Sequence, residues 1–354
     1  MVVKEGPPLT FSLVDGALSG ERLALSRLLT QVENDTPEGR VALDRLYPIA
    51  GKAHRIGVTG SPGTGKSSLV NKLARALRSP AAGQPRRVAV VAVDPSSPFT
   101  GGAVLGDRVR MRELAGDPGV FIRSMASRGA LGGLAMATAA VVQVFDAVGY
   151  DVVLIETVGV GQAEVDIARL AHTTLVVEAP GLGDEIQSIK AGILEIADVL
   201  VVNKADRPGA ENTQRILKAM LDLAKPSEAL YHHPRCQLPD APFAVPEQVL
   251  PAVDETAPRW LPPVLPTVAS TGAGVSVLLE AIDRHAAYLR ETGEWQRRAA
   301  DRLQVELQSR VQAALVAHWR AGISDETYQR IFVELSEQRL TPAQAVEILL
   351  GQTT

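Results

Sequence analysis

Residues 60–67 have the composition and spacing of a phosphate-binding loop. They read Gly-Ser-Pro-Gly-Thr-Gly-Lys-Ser and fit G-x-x-x-x-G-K-[ST] at every fixed position. An apolar, β-branched run at 56–59 precedes the loop, and Leu69, Leu73 and Leu77 recur after it at helical spacing. This strand–loop–helix context favours a true phosphate site, because glycines let backbone N–H groups converge on an anion at a helix N-terminus. A glycine-rich turn that binds nothing is the less favoured alternative.

The side chains at the end of this loop and of a later strand have the chemistry of a metal–triphosphate site. The Lys66 ammonium can reach the β- and γ-phosphates, and the Ser67 hydroxyl can be a ligand of Mg²⁺. Glu156 follows the apolar run at 152–155 and begins the motif Glu-Thr-Val-Gly, in which the Gly159 N–H can sense the γ-phosphate. A carboxylate there is unfavourable unless it is paired or lies near a metal. A solvent-facing strand end is the alternative.

Two further carboxylates are candidate metal ligands. Asp94 ends the second predicted strand, and Asp107 lies in the following loop segment. Both could approach a metal through water, although each taken alone fits a helix cap or an ion pair equally well. Asp94 joins Lys66 and Glu156 as a candidate catalytic residue.

A base-reading motif follows the predicted strand at 199–202. Asn203-Lys204-Ala205-Asp206 fits N-K-x-D. The Asp206 carboxylate can accept hydrogen bonds from guanine N1–H and the exocyclic amine, whereas adenine would leave it unpaired. The Lys204 stem can lie along the base. After a phosphate loop and an acid-x-x-Gly motif, this tetrapeptide favours a GTPase over an ATPase, with a base loop expected at 268–272.

Composition sets the limits of the function. The chain has 354 residues, 46% of them hydrophobic, a net charge of −4 and a pI near 5.9. It has no basic block, so a nucleic-acid surface is not indicated. The single cysteine, Cys236, excludes an internal disulfide and fits a reducing compartment. With no secretory h-region and no long apolar run, we expect a soluble cytoplasmic protein without a membrane span.

Apolar runs alternate with helical periodicity from residue 55 onward, which predicts an α/β fold with a mostly parallel sheet covered by helices on both faces. The predicted strands are 56–59, 88–93, 152–155, 174–177, 199–202 and 264–269, with a shorter candidate at 120–123. Leucine stripes before residue 54, with a second short helix near 41–46, predict a helical lead-in that packs on this domain.

Two later regions depart from the alternation. Residues 226–263 are proline-rich and predict an irregular segment; His232, His233 and Cys236 fall inside it but are weak evidence for a metal site. The tail carries an apolar stripe at i+4 spacing, Leu303 to Trp319, which predicts burial against a second chain or against its own domain. The domains predicted are therefore an N-terminal helical extension at 1–54, a P-loop domain at 55–292 and a C-terminal helical dimerisation arm at 293–354.

Longer blocks of sequence resemble the MeaB/ArgK/MMAA family of G proteins over about residues 40 to 292. The blocks that carry the resemblance are the P-loop, Asp94–Gly102, Gly106–Met111, Glu156–Glu164, Pro180–Gln187 and Lys190–Ile193. The resemblance implies a P-loop NTPase fold of the SIMIBI type and a Mg²⁺-dependent GTPase. It also implies a chaperone of adenosylcobalamin-dependent acyl-CoA mutases, usually a homodimer joined by C-terminal helices.

The resemblance also implies residue roles. Phosphate binding would use Gly63, Thr64, Gly65, Lys66, Ser67 and Ser68, while Ser67, Asp94, Asp107 and Glu156 would surround Mg²⁺. Guanine would be read by Asn203, Lys204 and Asp206 beside Ala269 and Ser270, and segments 94–111, 156–165 and 180–190 would be nucleotide-responsive switches. Two departures stand out: the base loop has Val268-Ala269 in place of the common Ser-Ala pair, and 226–263 does not map onto the family.

Two other functions remain open from the sequence. One is a kinase linked to basic amino-acid transport, which would need a separate acceptor site that the sequence does not display. The other is a metal-inserting GTPase, which would need a Cys/His cluster near the nucleotide that the predicted strands do not supply.

Overall fold

Seven parallel strands form a single sheet at the centre of the larger part of the chain. The computed structural model describes residues 8–80, 83–95, 114, 116–127, 133–157, 163–181, 195–224, 249–254 and 257–351. Among these the strands are β1 (His54–Thr59), β2 (Val88–Pro95), β3 (Val120–Ser127), β4 (Val152–Thr157), β5 (Thr173–Glu178), β6 (Val199–Val202) and β7 (Val264–Pro266). They lie in the order β3-β2-β4-β1-β5-β6-β7 and every pairing is parallel. The α/β prediction is confirmed.

Helices cover the sheet and extend the chain at both ends. They are α1 (Pro8–Leu18), α2 (Arg22–Glu33), α3 (Pro37–Leu46), α4 (Lys66–Arg78), α5 (Gly133–Ala147), α6 (Ala163–Leu170), α7 (Ala210–Ala224), α8 (Val275–Glu291), α9 (Glu294–Ala321), α10 (Asp325–Ser336) and α11 (Pro342–Gly351). No helix in these described stretches has the length and apolarity to span a bilayer.

Three element boundaries differ from the sequence prediction for identifiable reasons. The helix predicted near 41–46 begins at Pro37, because the Thr36 hydroxyl accepts a hydrogen bond from the Gly39 N–H at 3.0 Å and caps it. The short candidate strand at 120–123 continues to Ser127 along β2. The last strand ends at Pro266, and Val268 turns back to bridge Ala273 in antiparallel fashion.

Alternate residues of each strand enter two different cores. Val152 and Leu154 of β4 pack with α4 and α8 on one face, whereas Val153 and Ile155 pack with α2, α3 and α5 on the other. This explains why the strand reads as a continuous apolar run, since both of its faces are buried.

The N-terminal helices cover the edge strand β3. Arg22 of α2 donates a hydrogen bond to the Val120 carbonyl at 2.7 Å and lies 4.9 Å from the Phe121 ring centre. Arg123 of β3 is paired with Glu33. An uncovered edge strand is a template for aggregation, so the lead-in protects the sheet as well as extending its core.

The C-terminal helices belong mainly to a second compact unit. Among the described residues, the first unit ends at Arg302 and therefore includes the first turns of α9, and the second begins at Leu303. Within the second unit, Thr341 and Gln344 form the predicted capping box, with Gln344 N–H to Thr341 Oγ1 at 3.3 Å and Thr341 N–H to Gln344 Oε1 at 3.0 Å.

A buried carboxylate on α5 holds the chain where it enters β1. Asp146 Oδ1 accepts hydrogen bonds from the N–H groups of Lys52 and Ala53 at 2.8 and 2.9 Å, and Asp146 Oδ2 lies 3.3 Å from the Arg55 guanidinium. The Asp146 side chain is fully buried. It therefore holds the start of the central strand by three contacts to one buried carboxylate.

We predict that Asp146→Ala lowers the free energy of unfolding by about 3–5 kcal/mol, because it leaves the largely buried Arg55 guanidinium and the N–H groups of Lys52 and Ala53 without this acceptor. The matched control is Asp283→Ala, which removes an ion pair to Arg86 whose two side chains are 39% and 47% exposed. Its effect should not exceed about 1 kcal/mol. Urea unfolding followed by circular dichroism measures both, and equal effects would contradict this role of Asp146.

Candidate nucleotide-binding site

The predicted motifs meet at the carboxyl edge of the sheet. The phosphate loop joins β1 to α4, the acid-x-x-Gly motif begins at the end of β4, and Asn203 follows β6 directly. The β1–β4 register places Val58 beside Glu156. Because the carboxyl ends of parallel strands lie at one edge, these three motifs come together although they are far apart in sequence.

Glycine is required at two positions of the phosphate loop by both conformation and space. Gly60 and Gly65 have φ values of 130° and 93°. A Cβ on Gly60 would lie 2.1 Å from the Val177 carbonyl oxygen of β5, and one on Gly65 would lie 2.5 Å from Asn203 Nδ2. The loop can therefore pass this close to the neighbouring strand and to the base motif only because positions 60 and 65 carry no side chain.

The loop lysine lies within the loop itself. Lys66 begins α4, is buried, and donates hydrogen bonds from Nζ to the carbonyls of Gly60 and Ser61 at 2.7 and 2.9 Å. The Thr64 hydroxyl also donates to the Ser61 carbonyl, at 3.0 Å. The ammonium is thus held beside the turn whose N–H groups would receive phosphate, while Ser68, just beyond the loop on α4, is exposed.

The predicted metal ligands Ser67 and Glu156 are in direct contact. The Ser67 hydroxyl donates to Glu156 Oε1 at 2.6 Å, and Glu156 is 4% exposed. Since Leu154 faces α4, the two-residue period of the strand turns Glu156 to the same helix. A hydroxyl and a carboxylate oxygen are hard ligands of the kind that Mg²⁺ prefers, so this pair fits the ion.

Asn203 connects the phosphate loop with the base loop. Asn203 Nδ2 donates to the Thr64 carbonyl at 2.8 Å, while Asn203 Oδ1 accepts from the Ala269 N–H at 3.0 Å and the Thr267 hydroxyl at 3.3 Å. The sequence marked Asn203 as a base reader; the structure also makes it the link between two loops. The role of Thr267 as a partner of Asn203 was not predicted. Its position just before the base loop was the only feature of the sequence that could have indicated it.

Lys204 and Asp206 complete the base-reading motif. Lys204 adopts φ 57°, which is uncommon for a residue with a side chain, and its Nζ donates to the Gly63 carbonyl at 2.6 Å. Its stem therefore spans the space between the two loops. Asp206 lies exposed in the turn after it, and the Ala205 N–H fixes that turn to the Thr267 carbonyl at 3.0 Å.

The base loop has a closed backbone conformation. The Val268 N–H donates to the Ala273 carbonyl at 2.9 Å, and the Gly272 N–H returns to the Val268 carbonyl at 2.8 Å. Ala269 is buried beneath this turn and Ser270 is exposed on it. The hydroxyl next to Asn203 comes from Thr267, so the missing Ser-Ala pair does not leave Asn203 without a hydroxyl partner.

Several predicted site features lie outside the described residues. They are Asp107, Gly159, most of the three proposed switch segments, and His232, His233 and Cys236. The Asp94 backbone ends β2 beside Ala126, but its side chain is also outside the described part. Among the described residues, no group of three or more His, Cys, Asp or Glu side chains is arranged to hold a metal ion.

Comparison with known proteins agrees with this geometry. The model of the family described as methylmalonyl-CoA mutase-associated GTPase MeaB matches residues 25–324. A protein of Pyrococcus horikoshii that is named as a GTPase is 41% identical over 338 residues, which cover 96% of each chain. A mitochondrial methylmalonic aciduria type A homolog of Caenorhabditis briggsae is 38% identical over 213 residues, or 56% of this chain and 51% of the relative.

A solved structure is similar over almost the whole chain. The crystal structure of a protein called LAO/AO transport system kinase covers 98% of each chain at 25% identity and a TM-score of 0.66. The family match spans both the phosphate loop and the base loop described above. The chain therefore belongs to the MeaB family of P-loop GTPases.

Proposed function

We propose that this GTPase is a chaperone that gates the loading of adenosylcobalamin into methylmalonyl-CoA mutase, or a related acyl-CoA mutase, and protects the loaded enzyme. The observation that carries this proposal is the family match, whose description names the mutase. The relative named as a methylmalonic aciduria type A homolog supports it. The single cysteine supports a reducing, cytoplasmic location.

Guanine recognition by Asp206 is the basis of the nucleotide choice. A carboxylate can accept from both guanine N–H donors, and a site built this way rejects a base that leaves it unpaired by about 10⁴-fold. Lys204 and Asn203 hold the turn that carries Asp206 against the phosphate loop through hydrogen bonds of 2.6 and 2.8 Å. GTP should therefore bind far more tightly than ATP.

We predict that Asp206→Asn weakens GTP binding and favours the xanthine nucleotide, because the amide can donate to the xanthine carbonyl. Asp44→Asn, on the exposed surface of α3, is the matched control and should change neither affinity. Competition binding against a fluorescent guanine nucleotide measures all three proteins. Equal ATP and GTP affinity in the unaltered protein would remove this assignment.

Mg²⁺ would be held at the Ser67–Glu156 pair. When bound, the ion neutralises charge on the β- and γ-phosphate oxygens. Ser67 and Glu156 would orient it, Lys66 would contribute a second cation from within the loop, and Asp94 and Asp107 would act through water. The 2.6 Å contact between Ser67 and Glu156 supports this assignment because it already places two oxygen ligands side by side.

We predict that Glu156→Gln lowers Mg²⁺-dependent GTP turnover about 100-fold or more, because loss of one charged stabilising group has effects of this order. The amide can still accept from Ser67, so nucleotide binding should remain. Glu38→Gln makes the same chemical change at an exposed position of α3 and is the control. Phosphate release titrated with Mg²⁺ measures turnover, and a variant with unchanged Mg²⁺ dependence would exclude Glu156 from the metal site.

A homodimer through the C-terminal helices is also part of the proposal. Leu307 and Leu315 of α9 are 63% and 60% exposed in the single chain. They lie eight positions apart on one helical face, and Phe332 of α10 is also exposed. Monomeric proteins rarely leave such apolar surface uncovered. A second copy of the arm supplies a matching apolar face.

We predict that charging this face separates the dimer. Leu307→Glu combined with Leu315→Glu should convert a dimer into a monomer, because it would bury two carboxylates without partners. Gln312→Glu, an exposed polar position of the same helix, should leave the dimer intact. Sedimentation equilibrium gives the mass of each protein. A monomeric unaltered protein would contradict the dimer.

The mutase should act on nucleotide turnover if the two proteins are coupled. G proteins that lack a supplied arginine hydrolyse GTP slowly, at about 10⁻⁴ s⁻¹, and a group supplied in trans raises the rate by up to about 10⁵. Linkage then requires that the mutase change nucleotide affinity by the same factor by which the nucleotide changes mutase affinity.

We predict that purified mutase from the same cell accelerates GTP hydrolysis and shifts GDP affinity. The Asp206→Asn variant supplied with xanthosine triphosphate is a matched control, since it should restore the response that it loses with GTP. Titration of the mutase into a phosphate-release assay and a GDP-binding assay tests both effects. No change in either assay would overturn the chaperone proposal.

A transport-linked kinase is the second candidate, favoured by the name of the similar solved protein, LAO/AO transport system kinase. It differs in its product, since a kinase transfers the γ-phosphate to an acceptor whereas a chaperone GTPase releases it to water. Radiolabelled GTP incubated with membrane and soluble extract distinguishes the two. A metal-inserting GTPase would instead show metal-dependent hydrolysis in the presence of an apo-metalloenzyme.

A further inference from the structure

A buried cluster of histidines lies at the amino edge of the sheet, opposite the nucleotide site. The chain has six histidines, and three of them, His54, His172 and His285, are at most 5% exposed here. They come from the start of β1, the residue before β5, and α8. Together with Thr173, Asp198, Trp295, Arg298 and Arg302 they form what we call the amino-edge cluster. The proposed nucleotide chemistry uses none of them.

A chain of short polar contacts runs through the cluster. Asp198 Oδ1 lies 3.2 Å from His285 Nε2, His285 Nδ1 lies 2.9 Å from the Thr173 hydroxyl, and that hydroxyl lies 2.8 Å from His54 Nε2. With both imidazoles neutral, the Thr173 hydroxyl can donate to His285 Nδ1 and accept from His54 Nε2, while His285 Nε2 lies near the Asp198 carboxylate without hydrogen-bond geometry. The order is that of a nucleophile triad, but Thr173 is fully buried, so no substrate can reach it.

His172 has cationic or donating neighbours at both ring nitrogens. His172 Nδ1 accepts from the Arg55 N–H at 3.1 Å, and His172 Nε2 lies 2.9 Å from the Arg302 guanidinium. A neutral imidazole has one acceptor nitrogen and an imidazolium has none. When His172 is neutral, one of these two contacts therefore places an N–H donor of the ring against another N–H donor. When His172 is protonated, both contacts do so.

Three members of the amino-edge cluster lie at the start of α9 and contact its other members. Trp295 stacks on His172 at 3.7 Å, and Arg298 donates to the His172 carbonyl at 2.6 Å and to both Asp198 oxygens at 3.1 Å. Arg302 follows one turn later, and the compact GTPase unit ends there. The first turns of α9 are therefore held by stacking and hydrogen bonds that are most favourable while the histidines are neutral.

We propose that the amino-edge cluster is a proton-sensitive clasp, which holds residues 295–302 of α9 on the GTPase unit while its histidines are neutral and releases them when His54 and His172 are protonated. This inference concerns the packing of the first turns of α9 within the GTPase unit and does not rest on the identity of the partner enzyme.

The charges around both histidines oppose their protonation. Burial lowers the pKa of His54 to about 3, and His285, Arg290 and Arg86 add to this effect while Asp198 opposes it. Burial likewise lowers the pKa of His172 well below its usual value, with Arg302, Arg55, His54 and Arg298 contributing in that order.

The carboxylates that face the cluster are already paired with its arginines. They are Asp146 with Arg55, Asp198 with Arg298, Asp283 with Arg86 and Asp301 with Arg297. Arg302 has no carboxylate within ion-pair distance among the described residues, and burial together with Arg55 and Arg298 lowers its pKa to about 9. The excess of positive charge therefore lies next to His172.

The sign of the pH dependence follows from these shifts. Both histidines have a lower pKa in the closed clasp than the value of about 6.5 that they have when released. The closed clasp is therefore most stable above about pH 6.5. Below that pH, each of the two histidines lowers the equilibrium constant for closing about tenfold per pH unit.

Fluorine NMR of the whole chain labelled with 5-fluorotryptophan follows the clasp directly. The three tryptophans give separate resonances, assigned by single Trp→Phe variants. We expect the Trp295 resonance to shift between about pH 6.5 and 4, while the Trp319 resonance and the circular dichroism stay constant. The double variant His54→Gln with His172→Gln retains acceptors but does not titrate there, so it should lose this transition.

Two arginines one turn apart on α9 provide a matched pair. Arg302→Met removes the donor that opposes His172 and keeps the apolar stem, so it should move the Trp295 transition about one unit lower in pH. Arg298→Met leaves Asp198 buried without its arginine, so it should release Trp295 already at neutral pH. The proposal is overturned if the Trp295 resonance of the unaltered protein shifts only where the circular dichroism is lost, or if the double histidine variant retains the transition.

Discussion

The nucleotide site depends on one side chain, Asn203, which ties the phosphate loop to the base loop. Its amide nitrogen is bonded to the Thr64 carbonyl and its oxygen to the Ala269 N–H and the Thr267 hydroxyl. These contacts fix the distance between the loop that would bind the phosphates and the loop that would read the base. An amide is suited to this task, because it offers a donor and an acceptor in one rigid group.

The parallel sheet makes this arrangement possible. Strands that are buried on both faces are apolar throughout, so polar groups are confined to the strand ends. At the carboxyl edge these ends carry Glu156 and Asn203, and at the amino edge they carry His54 and Thr173. The same architecture therefore produces two polar layers, one that meets the nucleotide and one that holds the start of α9.

The two layers differ in what they do with buried charge. At the carboxyl edge, Lys66 and Glu156 are buried but lie beside loops that would bind phosphate and a metal. At the amino edge, Arg298 and Asp198 pair directly, and burial and neighbouring arginines lower the pKa values of His54 and His172. Replacement of such a buried ion pair by apolar packing is often neutral, whereas removal of one partner alone is costly because it leaves a buried charge.

Local patterns in the sequence were enough to predict the strands, the phosphate loop, the base motif and the capping box of α11, because each depends on residues that are neighbours in the chain. The α/β fold and the membership of a GTPase family followed from these patterns. The covering of β3 by α2 was less predictable, since it depends on Arg22 and Glu33 meeting a strand about 90 residues away.

Tertiary structure alone decided which distant groups meet. The contact of Ser67 with Glu156 joins residues 89 positions apart, and Thr267 reaches Asn203 across 64. The compact GTPase unit extends to Arg302, beyond the change of pattern near residue 292, because Trp295 and Arg298 pack on groups that the sequence places beside β5 and β6. Sequence determined the elements and their chemistry, because periodicity and turn residues act locally; the fold determined the site and the clasp, because strand order brings together ends that the chain itself keeps apart.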